Sequence, residues 1–76
     1  MAIKRISIIT PTRSIEYTIG EKCEDQNRVI DLIEPIEGYT DFSGRYTPGY
    51  YVVYDKYRKI ISRISSTCPI IVDWII

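Results

Sequence analysis

The sequence predicts an all-β domain, and three observations support this fold class. Isoleucine occurs sixteen times, threonine six and valine four, while leucine and alanine occur once each. Branching at Cβ restricts χ1, which suits a pleated sheet better than a helix. Short apolar stretches alternate with polar residues and are separated by glycine and proline. At 76 residues the chain is predicted to be a single β domain, 1–76, because so short a chain buries only one core.

The first half of the chain predicts a hairpin, a loop and one ambiguous segment. Residues 4–10 indicate a strand, and after a proline-containing turn residues 14–20 alternate cleanly as a half-buried strand. Residues 21–27 are polar and acidic, which is typical of a loop. Residues 28–34 fit either a short helical stripe or a strand buried on both faces, and their Ile and Val content favours the strand.

The second half predicts a long loop followed by three strands. Residues 38–49 contain three glycines and a proline, so we expect a loop. Strands are expected at 50–55, 59–65 and 70–76, joined by short turns. A total of about five or six strands predicts a small antiparallel meander or a partly open barrel of the SH3-like or OB-like kind.

The charged residues argue against an enzyme. The chain has no histidine and therefore no imidazole base. The remaining carboxylates of interest, Asp41, Asp55 and Asp73, lie where turns or strand edges place ordinary solvated aspartates. No glycine-rich phosphate loop occurs either. We therefore expect a non-enzymatic protein without a cofactor.

The cysteines and the start of the chain bear on metal binding and location. Cys23 and Cys68 lie far apart with no Cys-x-x-Cys spacing, so we expect reduced thiols and no metal site. A disulfide between them is the alternative, and it requires an oxidising compartment. The apolar start is too short for a signal peptide, and no stretch is long enough to span a bilayer. The expected location is the cytoplasm, with no membrane partner.

An unusual group of aromatic residues lies in the predicted loop. Tyr39, Phe42 and Tyr46 occur within eight residues, with Arg45 beside them. Rigid rings and a guanidinium are typical of a surface that recognises another protein. A small nucleotide is the other candidate ligand, with rings stacking on its base and Arg45 or Lys56 contacting its phosphate. Alternatively, the rings fold back as a lid on the core.

A second candidate surface is the following hairpin. Its tyrosines and basic residues resemble a stacking platform for single-stranded nucleic acid. A formal net charge of zero and an acidic middle region argue against this function. The residues are Tyr50, Tyr51, Tyr54, Tyr57, Lys56, Arg58 and Lys59.

The last seven residues point to self-association. Only Asp73 is polar between positions 70 and 76, so the last strand is apolar on both faces. An edge strand of this kind needs a covering surface. We therefore expect either a central position in the fold or a homo-oligomer interface formed by Trp74 and Ile76.

Three stretches of the chain resemble a known kind of protein. The stretches GYYVVYDK (49–56), KII (59–61) and IIVDW (70–74) are similar to the closing strands of small all-β proteins from phages and mobile elements of low-GC bacteria. Many such proteins inhibit bacterial defence systems by blocking a protein or sequestering a nucleotide signal. The resemblance thus implies an inhibitor of host defence, and it assigns no role to any residue.

Overall fold

The described part of the chain is built from β-strands alone. A computed structural model describes residues 2–23 and 27–75, and within them no helix is long and apolar enough to cross a membrane. The strands are β1 (Ala2–Ile9), β2 (Ser14–Thr18), β3 (Ile30–Ile36), β4 (Tyr39–Thr40), β5 (Tyr46–Thr47), β6 (Tyr50–Asp55), β7 (Ile60–Ser65) and β8 (Ile70–Ile75).

The first sheet places β1 between β2 and β8, and both pairings are antiparallel. Ile6 lies opposite Tyr17 on one side and Val72 on the other, and all three pack in or against the core. On the outer face Arg5 lies opposite Asp73 and donates a hydrogen bond from Nε to Oδ2 at 2.8 Å. The predicted hairpin at the start of the chain is confirmed, and the last strand extends its sheet.

The second sheet places β6 between β3 and β7. The ambiguous segment is therefore a strand, shifted to Ile30–Ile36 and containing Pro35. Among the described strands β3 pairs only with β6, so it lies at the edge of this sheet. On an edge strand a proline whose nitrogen faces away from the neighbouring strand breaks no ladder hydrogen bond.

A small hairpin, β4 and β5, continues the β3–β6 pair beyond the end of the second sheet. The pairing of Ile36 with Tyr50 continues in unchanged register to Tyr39 opposite Thr47. We call residues 37–49 the arm. The sequence predicts a loop for 38–49, and this prediction is wrong in part, because the glycines and the proline interrupt the pairing without ending it.

The core lies between the two three-stranded sheets, which meet where β1 packs on β3. Burying one isoleucine side chain contributes about 1.5–3 kcal/mol, so a few such residues supply most of the stability of a small domain. The buried set is Ile3, Ile6, Ile30, Ile33, Val53 and Ile64.

The predicted small antiparallel β fold is confirmed. The described residues form eight strands in two larger sheets and one hairpin, without a closed barrel. The additional strands are mainly the two short ones of the arm. The two cysteines are not joined to each other: Cys23 is buried and Cys68 is exposed.

Candidate functional site

The arm displays its aromatic side chains to solvent. The exposed fraction is 62% for Tyr39, 63% for Tyr46 and 111% for Phe42. The Phe42 side chain is therefore as accessible to water as it would be in an extended peptide. None of the three rings belongs to the core or packs against it. The alternative in which these rings form a lid on the core is therefore wrong.

The tip of the arm is held by a side-chain cap. One carboxylate oxygen of Asp41 accepts hydrogen bonds from the backbone N–H of Ser43 at 2.9 Å, the hydroxyl of Ser43 at 2.7 Å and the backbone N–H of Arg45 at 3.0 Å. These bonds, led by that of the Ser43 side chain, hold the pKa of Asp41 below its ordinary value. Gly44 has φ of +82°, the left-handed conformation that glycine adopts without strain. The turn is thus ordered without any contact to the core.

The base of the arm needs two glycines. A Cβ on Gly49 would lie 2.6 Å from the carbonyl oxygen of Ile36, and one on Gly38 would lie 2.8 Å from that of Thr47. The Tyr46 hydroxyl also lies where a Cβ of Gly38 would be. The Tyr46 ring therefore folds back along the arm, and the strands approach closely where the arm leaves the sheet. The sequence alone does not reveal this role, because Gly38 and Gly49 are typical of a loop.

Two charges of opposite sign are unpaired on the arm. Arg45 lies at the tip and Glu37 at the base, and both are exposed. Neither side chain forms a hydrogen bond or ion pair with another residue of the described ranges. Arg45 was a predicted contact residue, whereas Glu37 was not singled out, since a lone acidic residue beside a proline-containing strand carries no sequence signal.

Lys56 lies away from the other predicted contact residues. It belongs to the turn between β6 and β7, while the arm leaves from the opposite end of β6. Six residues of strand, at about 3.3 Å each, put roughly 17–20 Å between that turn and the arm. Its Nζ instead lies 5.3 Å from the centre of the Tyr57 ring, a cation–π contact.

The turn that contains Lys56 is built around a buried carboxylate. Asp55 is only 4% exposed, so its prediction as an ordinary solvated aspartate is wrong. Its Oδ1 accepts the N–H groups of Tyr57 and Lys59 at 2.8 and 2.9 Å, and Arg28 Nε donates to Oδ2 at 2.9 Å. Burial alone would raise the pKa of Asp55, but the Lys59 N–H, Arg28 and the Tyr57 N–H outweigh it and lower the pKa. This carboxylate stabilises the turn.

The tyrosines proposed for nucleic-acid stacking do not share one face. Alternation along β6 places Tyr50 and Tyr54 on the outer face and Tyr51 on the inner face, where it packs against the core. Tyr57 projects from the turn and is exposed. The continuous platform that this function requires is therefore not formed by these residues.

The last strand is exposed in part. Trp74 lies opposite Ile3, at the edge of the first sheet, and is 40% exposed. Ile71 and Ile75 are exposed as well. Ile76, the other residue of the predicted oligomer interface, lies outside the described residues. That interface stays a prediction.

Comparisons with protein-family models, with curated proteins and with solved structures found no match to this chain.

Proposed function

We propose that this chain is a non-enzymatic binding module whose arm recognises another protein. The observation that carries the proposal is the position of Phe42, a fully exposed ring at the tip of an ordered hairpin. Exposing a large apolar ring to water is unfavourable, and rings buried at the centre of an interface dominate binding energies. Tyr39, Tyr46 and Arg45 beside it are the residue types found most often at such centres.

The order of the arm supports a binding role. The cap by Asp41 and the unchanged strand register hold the rings in place before any partner arrives. A pre-organised surface loses less conformational entropy on binding than a flexible loop does. The arm therefore presents its contact residues at low entropic cost.

The shape of the arm favours a protein over a nucleotide as the ligand. Pockets for small ligands are concave and cover most of the ligand surface. The arm is a projecting hairpin with exposed rings, and Lys56, the proposed phosphate contact, lies at the far end of β6. A projecting ring suits insertion into a cleft of a larger molecule.

The resemblance to phage and mobile-element proteins extends this proposal. On that resemblance the chain would inhibit a bacterial defence system by binding one of its proteins. The net charge of zero and the division of the tyrosines between two faces count against the single-stranded nucleic-acid alternative. Nucleic-acid binding is therefore an outcome that the test must be able to reveal.

Site-specific photocrosslinking in living host cells tests the proposal. Phe42 is replaced by p-benzoylphenylalanine, and a control chain carries the same group at Thr12, an exposed position in the turn between β1 and β2. We expect a discrete protein adduct from position 42 alone, lost when Tyr46→Ala is added. The thermal stability of the variants should change little, because none of these rings is in the core.

Two results would contradict the proposal. Equal adducts from positions 42 and 12 would show non-specific contact. Adducts to nucleic acid, with none to protein, would replace protein recognition by the nucleic-acid alternative.

A further inference from the structure

We propose that the protein bound by the arm is a second copy of this chain. In the dimer two arms lie side by side in opposite directions, related by a two-fold axis near Tyr39 and Thr47, so that the tip of each arm meets the base of the other. The inference rests on the proposed function, since it names the partner of the same arm. Three features of the arm fit this one axis.

The first feature is the pair of unpaired charges. Arg45 is opposite Asp41 at the tip, and Glu37 is four residues from Asp41 along the same strand. Along the hairpin Glu37 lies two residues below the pair of Tyr39 and Thr47, and Arg45 lies two residues above it. A two-fold axis at the level of that pair therefore brings the guanidinium of each copy level with the carboxylate of the other. The arm is thus complementary in charge to itself.

The second feature is a groove at the base of the arm. It has a volume of about 180 Å³ and lies beside Pro35, Ile36, Glu37 and Tyr50. Phe42 lies three residues above the axis at Tyr39, and Ile36, which pairs with Tyr50, lies three residues below it. The axis therefore brings the tip of one arm to the level of Ile36 and Tyr50 in the other. Phe42 of each copy therefore reaches the apolar groove of its partner.

The third feature is the area available for contact. A buried aromatic side chain covers about 150–250 Å². Tyr39 and Tyr46 lie on opposite faces of the hairpin, so the fully exposed Phe42 and one partly exposed tyrosine per copy contribute on the order of 600 Å² in the dimer. The groove and backbone that they cover add a similar area. The total exceeds the roughly 1,000 Å² expected of a specific interface and lies near the lower end of the usual range. A dimer of micromolar affinity is expected.

The purified full-length chain tests the dimer by sedimentation velocity from 1 to 200 µM, a concentration range on the order of that affinity. We expect a reversible monomer–dimer equilibrium that Phe42→Ala weakens by about 100-fold or more, since two rings leave their grooves. Trp74→Ala is the matched control, and it should leave the equilibrium unchanged because β8 is not part of this interface. Loss of the dimer in Trp74→Ala, with none in Phe42→Ala, would move the interface to β8 and overturn the inference.

A charge exchange tests the orientation of the arms. Glu37→Arg alone and Arg45→Glu alone should each weaken self-association by about tenfold, because each turns two attractions into two repulsions. Mixed together, the two variants should form a heterodimer, since every contact then joins opposite charges again. Native mass spectrometry distinguishes this heterodimer by mass. Absence of the heterodimer in a mixture whose wild-type control dimerises would overturn the antiparallel arrangement.

Failure of the inference is distinguishable from failure of the proposed function. A wild-type chain that stays monomeric at 200 µM, roughly a hundred times the expected dissociation constant, overturns the inference. If position 42 then still crosslinks to a different protein in cells, recognition through the arm stands with another partner. If neither association nor crosslinking occurs, both proposals fall.

Discussion

Two turns of the molecule share one hydrogen-bond pattern and differ in their surroundings. The carboxylate of Asp41 accepts backbone N–H groups two and four residues further on at 2.9 and 3.0 Å, and that of Asp55 does the same at 2.8 and 2.9 Å. Asp41 lies at the exposed tip of the arm. Asp55 is buried and paired with Arg28, whose NH2 group also donates to the carbonyl oxygen of Lys59 at 3.1 Å.

The difference shows how one local device serves two purposes. At the turn between β6 and β7 the cap is tied to a distant loop through Arg28, so the turn forms part of the packed domain. At the arm tip the cap bonds only within its own turn among the described residues. The arm is therefore ordered locally, and its side chains stay available for contacts outside the domain.

Removing each carboxylate in turn tests most strongly whether the two turns differ in their coupling to the core. Asp55→Ala leaves Arg28 without its buried partner and should lower Tm by about 10 °C or more. Asp41→Ala should lower Tm by about 3 °C or less, because the tip can fray while the domain stays folded. Differential scanning calorimetry measures both. Equal losses of Tm would mean that the arm tip is coupled to the core after all.

The base of the arm should respond to a single methyl group. Gly49→Ala places Cβ against the carbonyl oxygen of Ile36, which belongs to the backbone and cannot rotate away. Overpacking of this kind costs about 1–3 kcal/mol. Chemical denaturation gives the free energy of unfolding. Gly20→Ala shows the cost of backbone strain without crowding, since no atom lies within 4 Å of its Cβ position but its φ is +88°. A cost at Gly49 below about 0.5 kcal/mol would show that the strands separate freely.

A smaller effect should distinguish the left-handed positions of the two turns. Gly44 has φ of +82°, and the equivalent Arg58 has φ of +63°. Gly44→Ala should destabilise the arm by about 1 kcal/mol, from the penalty that a Cβ meets in this conformation. Arg58→Gly removes that strain but also loses the 3.1 Å ion pair with Asp31, so its effect should stay within about 0.5 kcal/mol. Urea unfolding of the domain and backbone chemical shifts of the arm measure the two effects.

The smallest expected effect is a dependence on pH. The pKa values of Asp41 and Asp55 are both lowered by folding, so the stability that their carboxylates contribute is complete above the unfolded value of about 3.9. It is lost as the pH falls through the folded pKa values. Tm should therefore decline below about pH 4, and less steeply in Asp55→Asn. A decline of the same slope in wild type and Asp55→Asn would assign it to other carboxylates.

Much of the fold could be predicted from local patterns. Clean alternation predicts a strand over residues 14–20, and β2 lies within that range. The β-branched content of residues 28–34 favours a strand, and β3 overlaps most of that range. The short turn after β6 was predicted as well. Pairing across the sheets was not predictable, because the register of β8 on β1 depends on residues almost the whole chain apart.

The sequence identified the residues of the candidate site but not the hairpin that they form. The rings of the arm were identified because large aromatics are rare in polar loops, and they are indeed exposed. That these residues form a hairpin was hidden by Gly38 and Gly49, which in sequence signal a loop and in space allow close approach. The pairing of Asp55 with Arg28 was equally hidden, because it joins residues 27 positions apart and depends on burial that no short pattern reports.

The proline of β3 has a consequence for how the chain behaves at high concentration. A free strand edge offers rows of N–H and C=O groups on which a foreign strand can assemble, and this is one route to amyloid. Pro35 interrupts that row on the outer strand of the second sheet. A strand that added to this side would leave one of its carbonyl groups without a hydrogen-bond donor. Pro35 therefore disfavours fibril growth at this edge of a chain that is rich in isoleucine.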